Sequence, residues 1–224
     1  MIKNYGIIKD SAMHISEAAN KTCESLGKGL IEQDTHFTDR MLARIEEAID
    51  GFDVKGVDWR ARTFADYGTG TGDKRYDADI LGVLEIKLNN YHVKKGFLAK
   101  AVLIEPDGSM RRPQIKRLQQ QLENLLSISP ASFLFIYSKE RISVVPALSV
   151  VNSDINNPHE LYNRGLSSFF MGHFESFIGD QKLYPSNVER FKEVAKEQIS
   201  IRRCLHLSYG KGQDYENRTL DQFM

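Results

Sequence analysis

One lysine and one aspartate stand out because each belongs to a strongly apolar run. Lys100 interrupts Phe-Leu-Ala-Lys-Ala-Val-Leu-Ile within residues 97–105, and Asp79 begins the apolar run of residues 79–88. Runs that are apolar on both faces are typical of central strands. Burying an unpaired ammonium group is costly, so Lys100 needs an acidic partner, a bound anion or an opening to a cleft.

The two runs are separated by Asn89-Asn90, a pair that can adopt the left-handed conformations of a two-residue hairpin turn. In that register the numbers of paired residues sum to 179. Strand side chains alternate between the faces of a sheet, so two charged pairs are predicted on one face. These pairs are Asp79 with Lys100 and Glu85 with Lys94.

A carboxylate and a lysine held on neighbouring strands suit metal-assisted hydrolysis of phosphodiesters. The carboxylate can bind a hard divalent cation, which acidifies its water and neutralises charge on the phosphate. The lysine can position that water and stabilise the transition state. A plain cross-strand ion pair explains the same spacing equally well.

Elements that position this pair follow from the periodicity of the apolar residues. Three- and four-residue steps within residues 9–30 predict one helix that ends near Gly27 or Gly29. They predict a second helix from Thr35 or Thr38 to Gly51, with Glu46 among its acidic residues. The later elements predicted are strand Trp59–Phe64, helix Pro113–Ser127, strands Ala131–Ser138 and Ile142–Val151, an apolar helix His159–Ile178, a polar helix Ser186–Ser200 and a Gly- and charge-rich tail.

Composition limits the classes of function. The 224 residues include 30 basic and 30 acidic side chains, which excludes a uniformly basic coat, and 41% hydrophobic residues suffice for a packed core. Two cysteines form no disulfide framework, and the sequence has no signal peptide and no apolar run long enough for a membrane span, so we expect a cytoplasmic protein. The glycine-rich stretch 67–75 lacks the Gly-Lys-Ser/Thr of a phosphate-binding loop and is interpreted as a turn.

Several of these segments resemble the PD-(D/E)XK, restriction-endonuclease-like nucleases. Tyr76-Asp-Ala-Asp-Ile is similar to the strand that carries the metal-binding aspartate in that superfamily. Gly96-Phe-Leu-Ala-Lys-Ala-Val resembles the next strand, and Gln121 matches a helix glutamine of many members. The resemblance covers about residues 34–151.

The resemblance implies an α/β fold, with a restriction-endonuclease-like core of about five strands in a mixed sheet flanked by helices. Residues 1–30 would form an N-terminal helical arm, 31–153 the core and 154–224 a C-terminal helical extension of a single domain. It also implies Mg²⁺ or Mn²⁺ as cofactor, DNA as substrate and a role in restriction or defence. The catalytic residues implied are Asp79, Lys100 and Gln121, and the candidate metal ligands are Asp79, Asp77, Asp73 and Glu46, with Asp34 as a further acid.

The sequence departs from the family pattern at one position. Members carry Glu, Asp or Gln two residues before their lysine, where this chain has Leu98. If Lys100 instead occupies that acidic position, Val102 replaces the lysine. A second alignment uses Glu85-Ile-Lys87, but it requires a tight turn at Gly82 within an apolar run.

Basic residues concentrate in one segment. Residues 87–117 contain eight Lys or Arg and two acids, a net charge of +6, which leaves −6 for the remainder. Such clusters bind phosphates, although they also occur on ordinary solvated helix faces. The predicted nucleic-acid contacts are Lys94, Lys95, Arg111, Arg112, Lys116 and Arg117.

Three interpretations therefore remain. The first is a metal-dependent DNA endonuclease, either as a homodimer or as a subunit of a larger system. The second is a degenerate member of that fold that binds nucleic acid or a protein without cleavage. The third is an unrelated α/β domain in which Asp79 and Lys100 form a structural pair.

Overall fold

A computed structural model describes residues 5–54, 58–67, 76–88, 91–184 and 199–210. The helices are α1 (Tyr5–Gly27), α2 (Asp34–Ile49), α3 (Arg112–Ile128), α4 (Ala147–Val151) and α5 (Leu166–Phe174), with 3₁₀ turns at Pro158–Glu160 and Gln181–Leu183. The strands are β1 (Asp58–Tyr67), β2 (Tyr76–Leu88), β3 (Tyr91–Leu103), β4 (Ser132–Tyr137), β5 (Ile142–Pro146), β6 (Arg164–Gly165) and β7 (Ile199–Gly210).

The strands form one mixed sheet in the order β1-β7-β2-β3-β4-β5-β6. The pairs β2–β7 and β3–β4 are parallel, and the other neighbours are antiparallel. The α/β class and the mixed sheet flanked by helices are confirmed. The expected five strands are too few, since the described residues contribute seven.

The predicted hairpin register is confirmed. Ile80 pairs with Ala99 and Glu85 with Lys94, and the two residue numbers of every β2–β3 pair add up to 179. The turn residues Asn89 and Asn90 lie outside the described residues. Register follows here from two long apolar runs and the shortest common turn.

Helices cover both faces of the sheet. The first face packs against α1, α2 and α5 and includes the large core residues Phe37, Phe97 and Phe169. The opposite face packs against α3 through Leu118, Leu122 and Leu125. Alternation along the strands puts Asp79 and Lys100 on the α3 face.

Two predicted elements are shorter than expected. The strand predicted over Ile142–Val151 ends at Pro146, which has no N–H for the ladder, and α4 follows. The helix predicted over His159–Ile178 is restricted to α5. Before it, the Asn163 side chain donates to the carbonyls of His159 and Leu161, which would otherwise accept helical hydrogen bonds.

The end of the chain differs most from expectation. The residues 199–210, assigned from sequence to a helix end and a tail, form β7 between β1 and β2. Most of the polar helix predicted over 186–200 lies outside the described residues. The two cysteines are unpaired and buried, and none of the described helices is long and apolar enough to cross a membrane.

Candidate functional site

Asp79 and Lys100 form the ion pair that the register predicted. The Lys100 Nζ lies 3.0 Å from Asp79 Oδ2, and the same oxygen accepts the backbone N–H of Ala101 at 2.8 Å. Only 8% of the Asp79 side chain and 7% of the Lys100 side chain are exposed. The pair joins the start of β2 to the end of β3, so two central strands fix its geometry.

A second carboxylate completes the environment of the lysine. Lys100 Nζ donates to Asp77 Oδ2 at 3.2 Å, and 35% of the Asp77 side chain is exposed. Strand β2 begins at Tyr76, so Asp77 shares the face of Asp79 as expected. Lys100 therefore bridges a buried and a solvent-accessible carboxylate.

Arg202 is a neighbour of the pair that sequence reasoning missed. Its Nη1 lies 3.8 Å from Asp79 Oδ1, and 36% of its side chain is exposed. The adjacent Arg203 points to the opposite face, where its Nε lies 2.7 Å from Asp39 Oδ1. The signal was present in the period-two alternation of apolar residues at 201, 205, 207 and 209, which is typical of a strand.

Burial and charge oppose each other at Asp79. Burial raises the pKa of its carboxyl group, while Lys100 and the Ala101 N–H act in the opposite direction. A cation placed beside Asp79 therefore stabilises the ionised carboxylate against desolvation. Among the described residues, Lys100 and the Ala101 N–H contact Oδ2, whereas Oδ1 has Arg202 at 3.8 Å, so Oδ1 is the oxygen at which such a cation would be held.

The proposed metal ligands are only partly brought together. Asp77 and Asp79 meet at Lys100, whereas Glu46 Oε2 accepts the backbone N–H of Thr63 at 3.0 Å on β1. Asp34 is the first residue of α2, and its Oδ1 accepts the Thr35 N–H at 2.7 Å. Asp73 lies outside the described residues.

Within the described ranges, no group of three or more His, Cys, Asp or Glu could hold a metal ion. Mg²⁺, however, is commonly bound by one or two carboxylates together with water and substrate phosphates. The donor set of Asp77 and Asp79 fits that mode of binding. It does not fit a site enclosed by protein ligands alone.

Leu98, two residues before Lys100, lies in an apolar environment. Leu98 is completely buried against Leu81, Val83 and Leu125. The alternative alignment on Glu85-Ile-Lys87 is wrong because β2 runs without interruption through Gly82. Glu85 instead accepts the Tyr184 hydroxyl at 2.7 Å and pairs with Lys94 at 3.4 Å.

Gln121 lies half-buried on α3, between Leu118 and Leu125 on the helix side that packs on the sheet. Among the hydrogen bonds of the described residues, none joins Gln121 to Asp79 or Lys100. The structure thus puts this glutamine on the expected helix without a direct contact to the pair.

The basic residues of segment 87–117 do not form one surface. Arg111, Arg112, Lys116 and Arg117 are exposed at the start of α3. This helix follows β3, so it begins at the sheet end that carries Lys100. In contrast, Lys94 lies nearer the start of β3. Its Nζ pairs with Glu85 and lies over the Tyr184 ring, 4.7 Å from the ring centre.

Lys95 does not belong to a phosphate-binding surface. It is 3% exposed, and its Nζ has no hydrogen-bond partner among the described residues. A side chain buried in this way cannot meet the backbone of a nucleic acid, so its assignment as a surface contact is wrong.

Comparisons of the chain with models of known families, with curated proteins and with solved structures find no match.

Proposed function

We propose that the protein is a metal-dependent endonuclease that hydrolyses DNA phosphodiester bonds. The observation that carries this proposal is the bridging of buried Lys100 by Asp77 and Asp79 at the end of two central strands. The exposed fraction of Asp77 opens the cluster to solvent, and a substrate could approach from that side.

Each charged side chain has a chemical role in this proposal. Asp79 Oδ1 and Asp77 would hold Mg²⁺ or Mn²⁺, which when bound supplies an acidified water and neutralises phosphate charge. The Lys100 ammonium donates hydrogen bonds that orient the attacking water and stabilise charge on the phosphate. Arg202, 3.8 Å from Asp79, is positioned to donate to a phosphate oxygen.

Charge outside the pair supports a polyanionic substrate. The exposed basic group at the start of α3 is at the same sheet end as Lys100. Contacts from such side chains to phosphates bind nucleic acid regardless of sequence and weaken with salt. The four residues are Arg111, Arg112, Lys116 and Arg117.

The test is cleavage of supercoiled plasmid by the purified protein with Mg²⁺ or Mn²⁺, with linear duplex and single strands as further substrates. Asp79→Asn and Lys100→Met should each reduce cleavage by at least about a thousandfold, because each removes a group that acts in the transition state. Folding of each variant is verified by circular dichroism.

Glu85→Gln is the matched control. Glu85 lies on the same strand and face as Asp79 and also pairs with a lysine of β3, but it is far from Asp77. It should retain cleavage. If wild-type protein at molar excess cleaves none of the substrates with either metal, the endonuclease proposal is rejected.

One observation favours a second function, binding of duplex DNA without cleavage. Leu98 is completely buried at the position where the nucleases that the sequence resembles carry an acidic residue. This protein would bind duplex with salt-dependent affinity, and Arg111→Ala with Arg112→Ala would weaken binding while no condition gives cleavage. Duplex affinity that is unchanged in the double variant would contradict this function.

A further inference from the structure

A cavity lies on the face of the sheet opposite Asp79 and Lys100. Its volume is about 760 Å³, within the range of small-molecule sites. It opens between the start of β4, the end of β5 and the segment that follows α5. Its lining includes four aromatic residues and two basic residues: Phe133, Tyr162, Phe169, Phe177, Arg164 and Lys182.

The aromatic lining of the cavity is unusually exposed. Tyr162 is 76% exposed and Phe177 is 78% exposed, the two highest values among the large hydrophobic residues described. Both line this one cavity, whose inner wall is formed by Phe133 and Phe169 with their rings at 5.1 Å. Exposed rings around a concave site are suited to stack on a planar ligand.

The charges at the cavity favour an anion. Arg164 and Lys182 are exposed at its rim. The acid at the rim, Asp180, is already engaged, since its carboxylate accepts the Ser129 hydroxyl at 2.7 Å and the Lys182 N–H at 2.9 Å. No ion pair joins Arg164 or Lys182 to an acid among the described residues, so two cations face one hydrogen-bonded carboxylate in the lining and leave a net positive charge.

A third cation lies behind the lining residue Gly179. A Cβ on Gly179 would fall 2.8 Å from the Cδ of Lys95, so the lysine side chain packs directly against this backbone. The Lys95 ammonium is buried and has no hydrogen-bond partner among the described residues. Because no described residue supplies a counter-charge, this buried cation adds positive potential to the cavity beside it.

We propose that this cavity binds a nucleoside monophosphate. Its base stacks on the exposed rings of Tyr162 and Phe177, and its phosphate is bound by Arg164 and Lys182. The volume, the paired exposed aromatics and the positive rim together match a ligand with one planar aromatic part and one anionic part. The site is independent of the nuclease proposal, because it uses none of the residues at Asp79 and Lys100.

The experiment is isothermal titration calorimetry with adenosine 5′-monophosphate in the presence of EDTA, without DNA. Two truncated ligands are titrated in parallel: adenosine, which lacks the phosphate, and ribose 5-phosphate, which lacks the base. We expect saturable one-site binding of the monophosphate with a Kd below about 1 mM, and binding at least about tenfold weaker for each truncated ligand.

The exposed lining residues provide variants that should not disturb folding. Arg164→Gln with Lys182→Gln, and separately Tyr162→Ser with Phe177→Ser, should each weaken binding at least about tenfold. Matched controls are Lys139→Gln and Tyr5→Ser, which remove an exposed cation and an exposed ring elsewhere and should leave the Kd unchanged.

Absence of saturable binding up to about 10 mM monophosphate overturns the proposal. Binding that persists unchanged in both cavity variants also overturns it. Because no metal or DNA is present, neither result affects the test of the endonuclease.

Discussion

Two buried lysines five residues apart on β3 occupy opposite environments. Lys100, on the α3 face, contacts Asp77 and Asp79 at 3.2 and 3.0 Å. Lys95, on the face of α5, is equally buried, but no carboxylate pairs with it among the described residues. Burial lowers the pKa of Lys95 to about 8 from its usual 10.5.

The difference shows that a buried charge can have opposite effects on the stability of this protein, depending on its partners. At Lys100 the desolvation is offset by two acids, so removal of the lysine leaves uncompensated charge. At Lys95 no described residue offsets the desolvation, so removal of the lysine relieves a free-energy cost. Opposite stability changes are therefore expected from the same substitution at the two positions.

The largest effect is expected for Lys100→Met. The substitution leaves Asp79 buried without its cation and should lower the free energy of unfolding by about 3–5 kcal/mol, measured by urea denaturation at pH 7. Adding Asp79→Asn should recover part of the loss, because the unpaired carboxylate is then removed. Lys139→Met, at an exposed site, is the control. A loss below about 1 kcal/mol would show that the pair is solvated and not buried as described.

Lys95→Met should stabilise the protein by about 1–3 kcal/mol at pH 7. The folded-state pKa of about 8 lies below the usual 10.5, so the unfolded state binds more protons between these values. Wild-type stability should therefore gain a rising contribution from pH 8 to 10.5, and the advantage of the methionine variant should disappear over that range. Urea denaturation at pH 7, 8, 9 and 10 tests this, and a variant less stable than wild type at pH 7 would contradict it.

Gly179→Ala should destabilise the protein by about 1–3 kcal/mol. Gly179 has a φ of +121°, a conformation that side chains rarely adopt, and a Cβ there would collide with the Lys95 side chain. Gly165→Ala is the matched control, because Gly165 has φ −67° and open space around it. The melting temperatures of the two variants provide the comparison, and equal values would refute the close approach of Gly179 to Lys95.

The smallest effect concerns the second predicted pair, Glu85 with Lys94. Although burial acts in the opposite direction, the Tyr184 hydroxyl and the Lys94 charge lower the pKa of Glu85. Tyr184→Phe should reduce stability by about 1 kcal/mol at pH 7. Since the folded-state pKa is below the usual 4.5, the difference should persist above pH 4.5 and be lost as the pH falls through the folded-state pKa.

Chemical denaturation of wild type and Tyr184→Phe at pH 7, 5 and 3 measures this difference, with Tyr162→Phe as a control at an exposed ring. If the difference in free energy of unfolding between the two proteins stays constant down to pH 3, the Tyr184 hydroxyl acts independently of the Glu85 charge, contrary to the prediction.

Local sequence signals predicted the hairpin well. Two apolar runs and a two-residue Asn-Asn connection determine the register, and the register alone gave the contact of Asp79 with Lys100. Helices α2 and α3 were also predicted within a few residues, because their apolar periodicity is strong.

The contribution of β7 could not be derived in the same way. Its alternation was visible, but its position between β1 and β2 depends on pairing between residues more than a hundred positions apart. Arg202 reaches Asp79 only through that pairing. Similarly, the Asn163 side chain interrupts a helix that apolar periodicity alone would extend.

The position of β7 between β1 and β2 also determines the order in which the strands can pair during synthesis of the protein. Asp79 and Lys100 can meet as soon as the β2–β3 hairpin forms, but the facing edges of β1 and β2 stay unpaired until residues 199–210 leave the ribosome. Two open edges expose backbone groups that can pair with another chain. Strand β7 also brings Arg202 to Asp79, so the charged cluster is complete only after β7 has paired with β1 and β2.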